Sequence, residues 1–180
     1  MQTTIKPKLA TMWLSGCSGC HMSLLDIDEV LIELAKKIQL VYGPLVDIKT
    51  FPEDVDITLV EGAVANQEQL EMLKQARART KILISMGDCA VTGNVTALRN
   101  GLPQSDQAVL HRAYIETVNA NPQIPTDVPK LLEKVLPLHE VVKVDYFIPG
   151  CPPPAGNIAY VLLELLAGRI PQMENKSKYG

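Results

Sequence analysis

Four short apolar segments in this chain each run into a loop that contains glycine together with a cysteine or a glutamate. Each segment is rich in Leu, Ile and Val and is shorter than a typical helix, which indicates a strand buried on both faces of a sheet. The four predicted strands are residues 9–14, 55–60, 81–86 and 141–148. The chain therefore predicts several parallel strands whose carboxyl ends all carry chemically reactive side chains.

Helical patterns separate these strands. In residues 23–38 the apolar side chains recur every three or four positions, with acids early and lysines late, as in an amphipathic helix. Residues 67–79 and 155–167 are also predicted to be helices. Alternating strands and helices imply right-handed crossovers. We therefore expect the α/β class, as a doubly wound parallel sheet with helices on both faces.

The downstream half of the chain is less regular. Four prolines interrupt residues 94–129, which we expect to be an irregular insertion that wraps the domain or meets a partner, with a helix over 106–118. A short helix is predicted over 128–135, and residues 174–180 are expected to be a polar tail. At 180 residues, the chain is expected to form one domain over 1–180.

Composition excludes several classes of function. A formal net charge of -3 offers no basic surface for nucleic acid. No apolar run approaches the roughly 18 residues that span a bilayer, so no membrane span is expected. The first residues lack the apolar core of an export signal, which predicts a cytoplasmic protein with reduced thiols. In a reducing compartment, cysteines more often bind metal or do redox chemistry than form structural disulfides.

The four cysteines of the chain all follow predicted strands. They are Cys17, Cys20, Cys89 and Cys151. A fifth strand-end residue, Glu61, comes from the one strand that carries no cysteine. Because the carboxyl ends of parallel strands meet at one edge of a sheet, these side chains are predicted to converge in the folded protein.

Four thiolates are suitable for either zinc or a 4Fe-4S cluster, and the number of ligands does not separate the two. Structural zinc sites usually combine two close CxxC pairs, whereas this chain has one close pair and two isolated cysteines. The dispersed spacing favours the larger cluster. The neighbouring glycines, among them Gly19 and Gly150, would let the backbone approach inorganic sulfide and donate N–H bonds to it.

Four strings of residues then point to a family. CSGCHMSLLD, VEGAV, MGDCAVTGN and IPGCPPPAGNI occur in this order and resemble the small subunit of NiFe hydrogenases. In that family the matching cysteines bind the proximal 4Fe-4S cluster on a flavodoxin-like fold. The resemblance implies that Cys17, Cys20, Cys89 and Cys151 hold one 4Fe-4S cluster, which relays electrons to or from a NiFe centre in a partner chain.

The branch within the family follows from what the chain lacks. Periplasmic small subunits carry a signal peptide and a further domain with two more clusters, and the respiratory complex I relative has adjacent cysteines where this chain has CSGC. The resemblance therefore implies the cytoplasmic bidirectional, NAD-reducing type. Its expected partners are a NiFe hydrogenase large subunit and diaphorase subunits that bind NAD and FMN, in an obligate hetero-oligomer.

Two alternatives stay open at this point. One is a 4Fe-4S subunit of a quinone-linked or ferredoxin-linked complex I-type oxidoreductase, and the other is a zinc-stabilised binding module. The loop residues lack the GxGxxG pattern of dinucleotide sites, and the sequence leaves open whether a flavin binds this chain.

Further residues near the predicted ligands divide into two kinds. Glu61 and His21 are candidates for contact with the cluster or with a partner, together with Gly19 and Gly150. Asp88 is instead predicted to hold its own loop by hydrogen bonds to the backbone.

Overall fold

The fold centres on a five-stranded parallel sheet in a computed structural model that describes residues 6–174 and 176. Its strands are β1 (Lys8–Trp13), β2 (Gln39–Tyr42), β3 (Val55–Glu61), β5 (Thr80–Met86) and β7 (Tyr146–Ile148). A separate antiparallel pair joins β4 (Val64–Asn66) to β6 (Leu131–Leu136). The order of the main sheet is β2-β1-β3-β5-β7, which is the 2-1-3-4-5 order of flavodoxin-like folds. The predicted fold class is confirmed.

Helices cover both faces of this sheet. They are α1 (Gly19–Leu25), α2 (Val30–Lys37), α3 (Gln67–Ala78), α4 (Asp88–Thr92), α5 (Ser105–His111) and α6 (Ala155–Leu166). One core contains Leu34 of α2 and Ile158 of α6, while the other contains Leu73 of α3. The strands between them are apolar on both sides because each face is covered, as the unbroken apolar runs of the sequence indicate. None of the helices in the described part of the chain is long and apolar enough to cross a membrane.

The predicted helix over 23–38 is two helices, so this prediction was wrong in its middle. The chain turns between α1 and α2 at Asp28, whose φ of 54° is left-handed and cannot continue a helix. Apolar spacing of three and four continues across the turn because Ile27 and Leu34 both reach the same core. The edge strand β2, which follows α2, was not predicted because only four residues form it and the first two are exposed.

The downstream half corrects two further predictions. Residues 128–135 are not a helix, because Leu131–Leu136 pairs as strand β6 against β4. The predicted strand over 141–148 contains only Tyr146–Ile148, and the valines before it pack into a core from a turn after the 3-10 helix Leu138–Glu140.

The segment 94–129 is regular in its first half. A 3-10 helix covers Asn94–Gly101, and α5 continues into a π-helical turn at Arg112–Glu116, so a helix lies close to the predicted 106–118. Residues 117–130 form no helix or strand. The predicted tail at 174–180 lies largely outside the described residues, which include only Glu174 and Lys176 from it.

Candidate metal-cluster site

A pocket of about 390 Å³, including its open side, lies at the carboxyl edge of the main sheet. The loops after β1, β3, β5 and β7 form it, so each predicted strand end contributes. The residues that line it are Gly16, Cys17, Ser18, Gly19, Cys20, Glu61, Gly62, Asp88, Cys89, Gly150, Cys151 and Pro152. The structure thus brings together all four cysteines, Glu61, Gly19 and Gly150. His21 does not line the pocket.

The four thiols differ in exposure. Cys89 is buried at the start of α4, and Cys20 is half-buried in α1. Cys17 and Cys151 are exposed at the mouth of the pocket. No disulfide links them, and all four are free thiols. A group bound between them would therefore be protein-enclosed on the inner side and accessible on the outer side.

Gly87 allows the loop after β5 to approach the loop after β1. A Cβ atom at this position would lie 2.1 Å from Cys20 Sγ, and the φ of Gly87 is +85°. Side chains other than glycine are strained at this φ, and here they would also displace a predicted ligand. The sequence showed a glycine in this loop but not its role, because the side chain that it accommodates comes from a distant segment.

Gly62 likewise allows the loop after β1 to approach the end of β3. With φ +83°, its added Cβ would lie 2.8 Å from the backbone of Leu14 and Ser15. The two chain segments are joined there by Ser15 N–H to Ala63 O at 2.9 Å and by Ala63 N–H to Ser15 O at 2.8 Å. The loop that carries Cys17 is therefore held against the end of β3 by backbone bonds that only glycine permits.

Asp88 was predicted to hold its own loop, but its side chain instead ties the Cys89 loop to the Cys151 loop. Its Oδ1 accepts the Gly150 N–H at 2.7 Å, while its own N–H donates to Gly150 O at 2.9 Å. Asp88 is 3% exposed. A reciprocal pair of bonds thus fixes the spacing between the loops that carry Cys89 and Cys151.

Glu61 is a buried carboxylate beside Cys20. It is 2% exposed, and its Oε2 accepts the His21 backbone N–H at 2.8 Å. His21 Nδ1 lies 3.2 Å from the same oxygen, but not in hydrogen-bond geometry. Glu61 Oε1 and both ring nitrogens of His21 have no hydrogen-bond partner among the described residues. Buried polar atoms without partners are rare in folded proteins and often mark functional sites.

The electrostatics of the pocket disfavour thiolates in the absence of a cation. Burial raises the pKa of Cys20 far above its usual range, and the Glu61 carboxylate and the neighbouring thiols raise it further. Burial likewise raises the pKa of Cys89, with added contributions from Cys151 and Cys17. Both thiols therefore favour the protonated form at neutral pH, and a cation that binds here would have to displace these protons.

The donor set fits an iron-sulfur cluster in chemical type. Thiolates are the usual protein ligands of such clusters, and four from separate loops surround one pocket here. Within residues 6–174 and 176, no group of three or more His, Cys, Asp or Glu side chains is arranged to hold a single metal ion. The zinc alternative needs ligands about 2.0–2.3 Å from one ion, and it gains no support from this arrangement.

Comparison with known proteins identifies relatives of this chain. The family model described as NADH ubiquinone oxidoreductase, 20 Kd subunit, matches residues 17–165. The NAD-reducing hydrogenase HoxS subunit delta of Cupriavidus necator is 45% identical over 170 residues, which cover 91% of this chain and 80% of that protein. The sulfhydrogenase 2 subunit delta of Pyrococcus furiosus is 31% identical over 161 residues, and the match covers 89% of this chain but 62% of that longer protein.

Solved structures give the same grouping. A chain in the crystal structure of an NAD+-reducing [NiFe]-hydrogenase in the H2-reduced state superposes with a TM-score of 0.93 at 40% identity, covering 98% of this chain and 100% of that one. The [NiFeSe] hydrogenase of Desulfovibrio vulgaris Hildenborough matches with a TM-score of 0.60 at 16% identity, over 92% of this chain and 61% of that one. At that identity the second match indicates a shared fold only.

Proposed function

Because the chain belongs to the NADH ubiquinone oxidoreductase 20 Kd subunit family, and within it to the small subunits of NiFe hydrogenases, we propose that it is the electron-relay subunit of an NAD-reducing hydrogenase. The predicted resemblance to these small subunits is confirmed. In the proposal, Cys17, Cys20, Cys89 and Cys151 hold one 4Fe-4S cluster. The observation that carries it is the convergence of all four thiols on one pocket at the carboxyl edge of the sheet.

The bound cluster would supply one-electron transfer, and the chain would supply its position and surroundings. The four cysteines bind it, and Gly87 leaves room for the Cys20 sulfur. The Asp88 carboxylate keeps the two later ligands at a fixed separation through Gly150. Burial of Cys20 and Cys89 excludes water from the inner side, which lowers the local dielectric around the sulfurs.

The proposed partners follow from the open side of the pocket. Cys17 and Cys151 are exposed there, and a cluster open to water would be labile. We propose that the NiFe large subunit covers this mouth and that diaphorase subunits binding NAD and FMN accept the electrons, in a cytoplasmic hetero-oligomer. In this proposal the chain itself does not activate hydrogen.

The complex I-type alternative retains one argument, since the family description names NADH ubiquinone oxidoreductase. The CSGC spacing of Cys17 and Cys20 and the 45% identity to a hydrogenase subunit favour the hydrogenase. Activity of the purified complex distinguishes the two. An NAD-reducing hydrogenase reduces NAD with electrons from hydrogen, whereas a complex I-type enzyme reduces quinone and needs no hydrogen.

The test of the cluster is Cys89→Ala in the assembled complex. Because Cys89 is the single cysteine that the loop after β5 contributes, its loss should remove or convert the cluster and abolish hydrogen-dependent NAD reduction. Iron and acid-labile sulfide content and the EPR spectrum of the reduced protein would be measured.

Ser85→Ala, a change of similar size inside β5, serves as the matched control and should leave iron content unchanged. A full cubane EPR signal in the Cys89→Ala protein would overturn the ligand assignment. Zinc without iron in the unaltered protein would instead support the binding-module alternative.

A further inference from the structure

An apolar groove of about 1270 Å³, including its open side, lies beside β2, outside the cysteine pocket. Its walls are α1, α2 and the loop after β2, and its floor contains the buried side chains of Leu9, Leu34 and Leu162. Few polar side chains reach it, whereas small-molecule sites usually present several converging polar groups. The lining is suited to the side chains of another polypeptide.

The rim of this groove exposes large apolar side chains. Leu45 is 82% exposed and Met22 is 58% exposed, and Leu25 and Leu40 stand beside them at 46% and 51%. Single exposed apolar residues are ordinary, but a contiguous patch around a groove marks an interaction surface. An apolar surface beside the edge strand β2 is therefore left uncovered by the described part of the chain.

The turn between α1 and α2 adds unmatched negative charge next to the groove. Asp26, Asp28 and Glu29 are all exposed, and none forms an ion pair with another described residue. By contrast, Glu33 on α2 pairs with Lys36 at 2.6 Å. The three unpaired acids lie in sequence between Leu25 and Leu31, which both line the groove. A complementary partner would bring basic side chains to this position.

The groove is continuous with the candidate cluster site. Ser18 lines both the groove and the cysteine pocket. His21, which follows Cys20, lines the groove with Trp13, and the two rings meet edge to face with centroids 5.6 Å apart. A segment lying in the groove would thus also contact the N-terminal end of α1, which carries Cys20.

We propose that this groove binds an apolar segment of another hydrogenase subunit, with Lys or Arg beside its apolar side chains. The proposal rests on the proposed function only for the source of the partner. A second copy of this chain is a poorer occupant, because a two-fold contact would bring the same acidic turns of both copies into one interface. We expect the bound segment to be an amphipathic helix, since its apolar stripe fits a groove between helices.

The first test places a benzophenone photocrosslinking amino acid at position 45 in the assembled complex. Irradiation should join this chain to another subunit, and mass spectrometry should identify an apolar peptide that contains Lys or Arg. The same probe at Ile170, which is 67% exposed and outside the groove, is the control. A product with a second copy of this chain, or no more product than at Ile170, would overturn the proposal.

The second test compares two kinds of variant by subunit dissociation measurements on the purified complex. Leu25→Asp with Leu45→Asp should weaken retention of the partner by about tenfold or more, whereas Ile170→Asp should not. Asp26→Lys with Glu29→Lys should weaken it and also flatten its salt dependence. Asp28 is left unchanged because of its positive φ. Unaltered retention in either groove variant would contradict the proposal.

Iron content separates this outcome from the proposed function. Iron is measured in the assembled complex before subunit dissociation, while the partner still covers the cluster. There the groove variants should keep the iron of the unaltered protein, because none changes a predicted ligand. Loss of the partner with iron retained supports the groove alone. An iron-free unaltered protein would overturn the cluster while leaving the groove result intact.

Discussion

The cysteine pocket and the segment 94–129 both lie outside the strands of the main sheet, yet they are held in different ways. Backbone bonds and glycines hold most of the pocket, together with the Asp88 carboxylate: Gly87 N–H donates to Ile148 O at 2.8 Å, and Ser15 and Ala63 exchange two bonds. In the segment, side chains provide the main anchors. Arg99 donates to the carbonyl oxygens of Leu132, Glu133 and Ala65, and Asn100 exchanges bonds with Val135.

The two kinds of contact differ in how much conformational freedom they leave the chain. Backbone contacts leave little freedom, and they suit the proposed role of the pocket, in which four sulfur positions would match a rigid cluster. Side-chain anchors hold a loop at a few points and leave its remaining residues free to vary. We therefore expect substitutions at the pocket glycines to affect metal and fold together, and substitutions at the anchors to affect stability alone.

Gly87→Ala should have the largest effect. A positive φ costs a non-glycine residue about 1–3 kcal/mol, and overpacking against Cys20 Sγ costs about 1–3 kcal/mol more. We expect a lower melting temperature together with loss of iron, measured by calorimetry and metal analysis. Gly156→Ala is the control, since a Cβ there meets nothing within 4 Å. It should stabilise α6 by about 0.4–1 kcal/mol. Full iron content in the Gly87→Ala protein would show that the contrast between the two regions is wrong.

Arg99→Ala should come next and should leave the pocket intact. Three carbonyl groups and Ser105 Oγ lose a charged donor, at a cost of about 1.5–3 kcal/mol in the free energy of unfolding. Chemical denaturation measures it, with iron content as the second readout. Arg112→Ala breaks only an exposed pair with Glu116 and should change stability by less than about 0.5 kcal/mol. Iron loss in the Arg99→Ala protein would contradict the expectation that this anchor affects stability alone.

Asp145 is a side-chain anchor outside the segment 94–129, and its contribution to stability can be tested by changing the pH. Burial raises the pKa of its carboxyl, but bonds from Leu83 N–H and Arg77 outweigh this and hold the pKa below its usual value. Because the folded pKa is depressed, the stabilisation is present above the unfolded pKa near 4 and is lost as pH falls through the folded value. Asp145→Asn should lower stability by about 1–3 kcal/mol at pH 7 and progressively less below pH 4. An unchanged pH profile of unfolding would contradict this.

Ser85→Ala should have the smallest effect. Ser85 Oγ is buried and has no hydrogen-bond partner among the described residues. Its removal relieves a desolvated hydroxyl, so stability should stay the same or rise by up to about 1 kcal/mol. Thermal unfolding measures this, and a clear loss of stability would mean that the hydroxyl has a role in the core.

The sequence predicted the pocket better than the surrounding helices. Apolar runs that end in glycine together with a cysteine or a glutamate locate β1, β3 and β5, because strands covered on both faces leave an unbroken apolar signal. The turn at Asp28 and the strand β6 left no such signal. Asp28 interrupts a helix without interrupting its apolar spacing, and β6 has exposed residues in the middle of a short run. These elements depend on tertiary contacts.

Within the site, the residue types were readable and the contacts were not. Cysteines and a strand-end glutamate are visible in the sequence, and the structure brings them together. The 2.1 Å approach of a Gly87 Cβ to Cys20 Sγ depends on loops far apart in the chain, so only the fold reveals it. The ligand roles themselves remain a prediction that the Cys89→Ala experiment tests.

The strand order also sets when the pocket can exist during synthesis. Cys17 follows the strand β1, whereas Cys151 follows β7 at the far edge, which pairs only with β5. The pocket is incomplete until that last strand has been translated and added to the sheet. The proposed cluster would therefore be completed only after β7 has joined the sheet, and a chain truncated before β7 would present three thiols without the loop that carries Cys151.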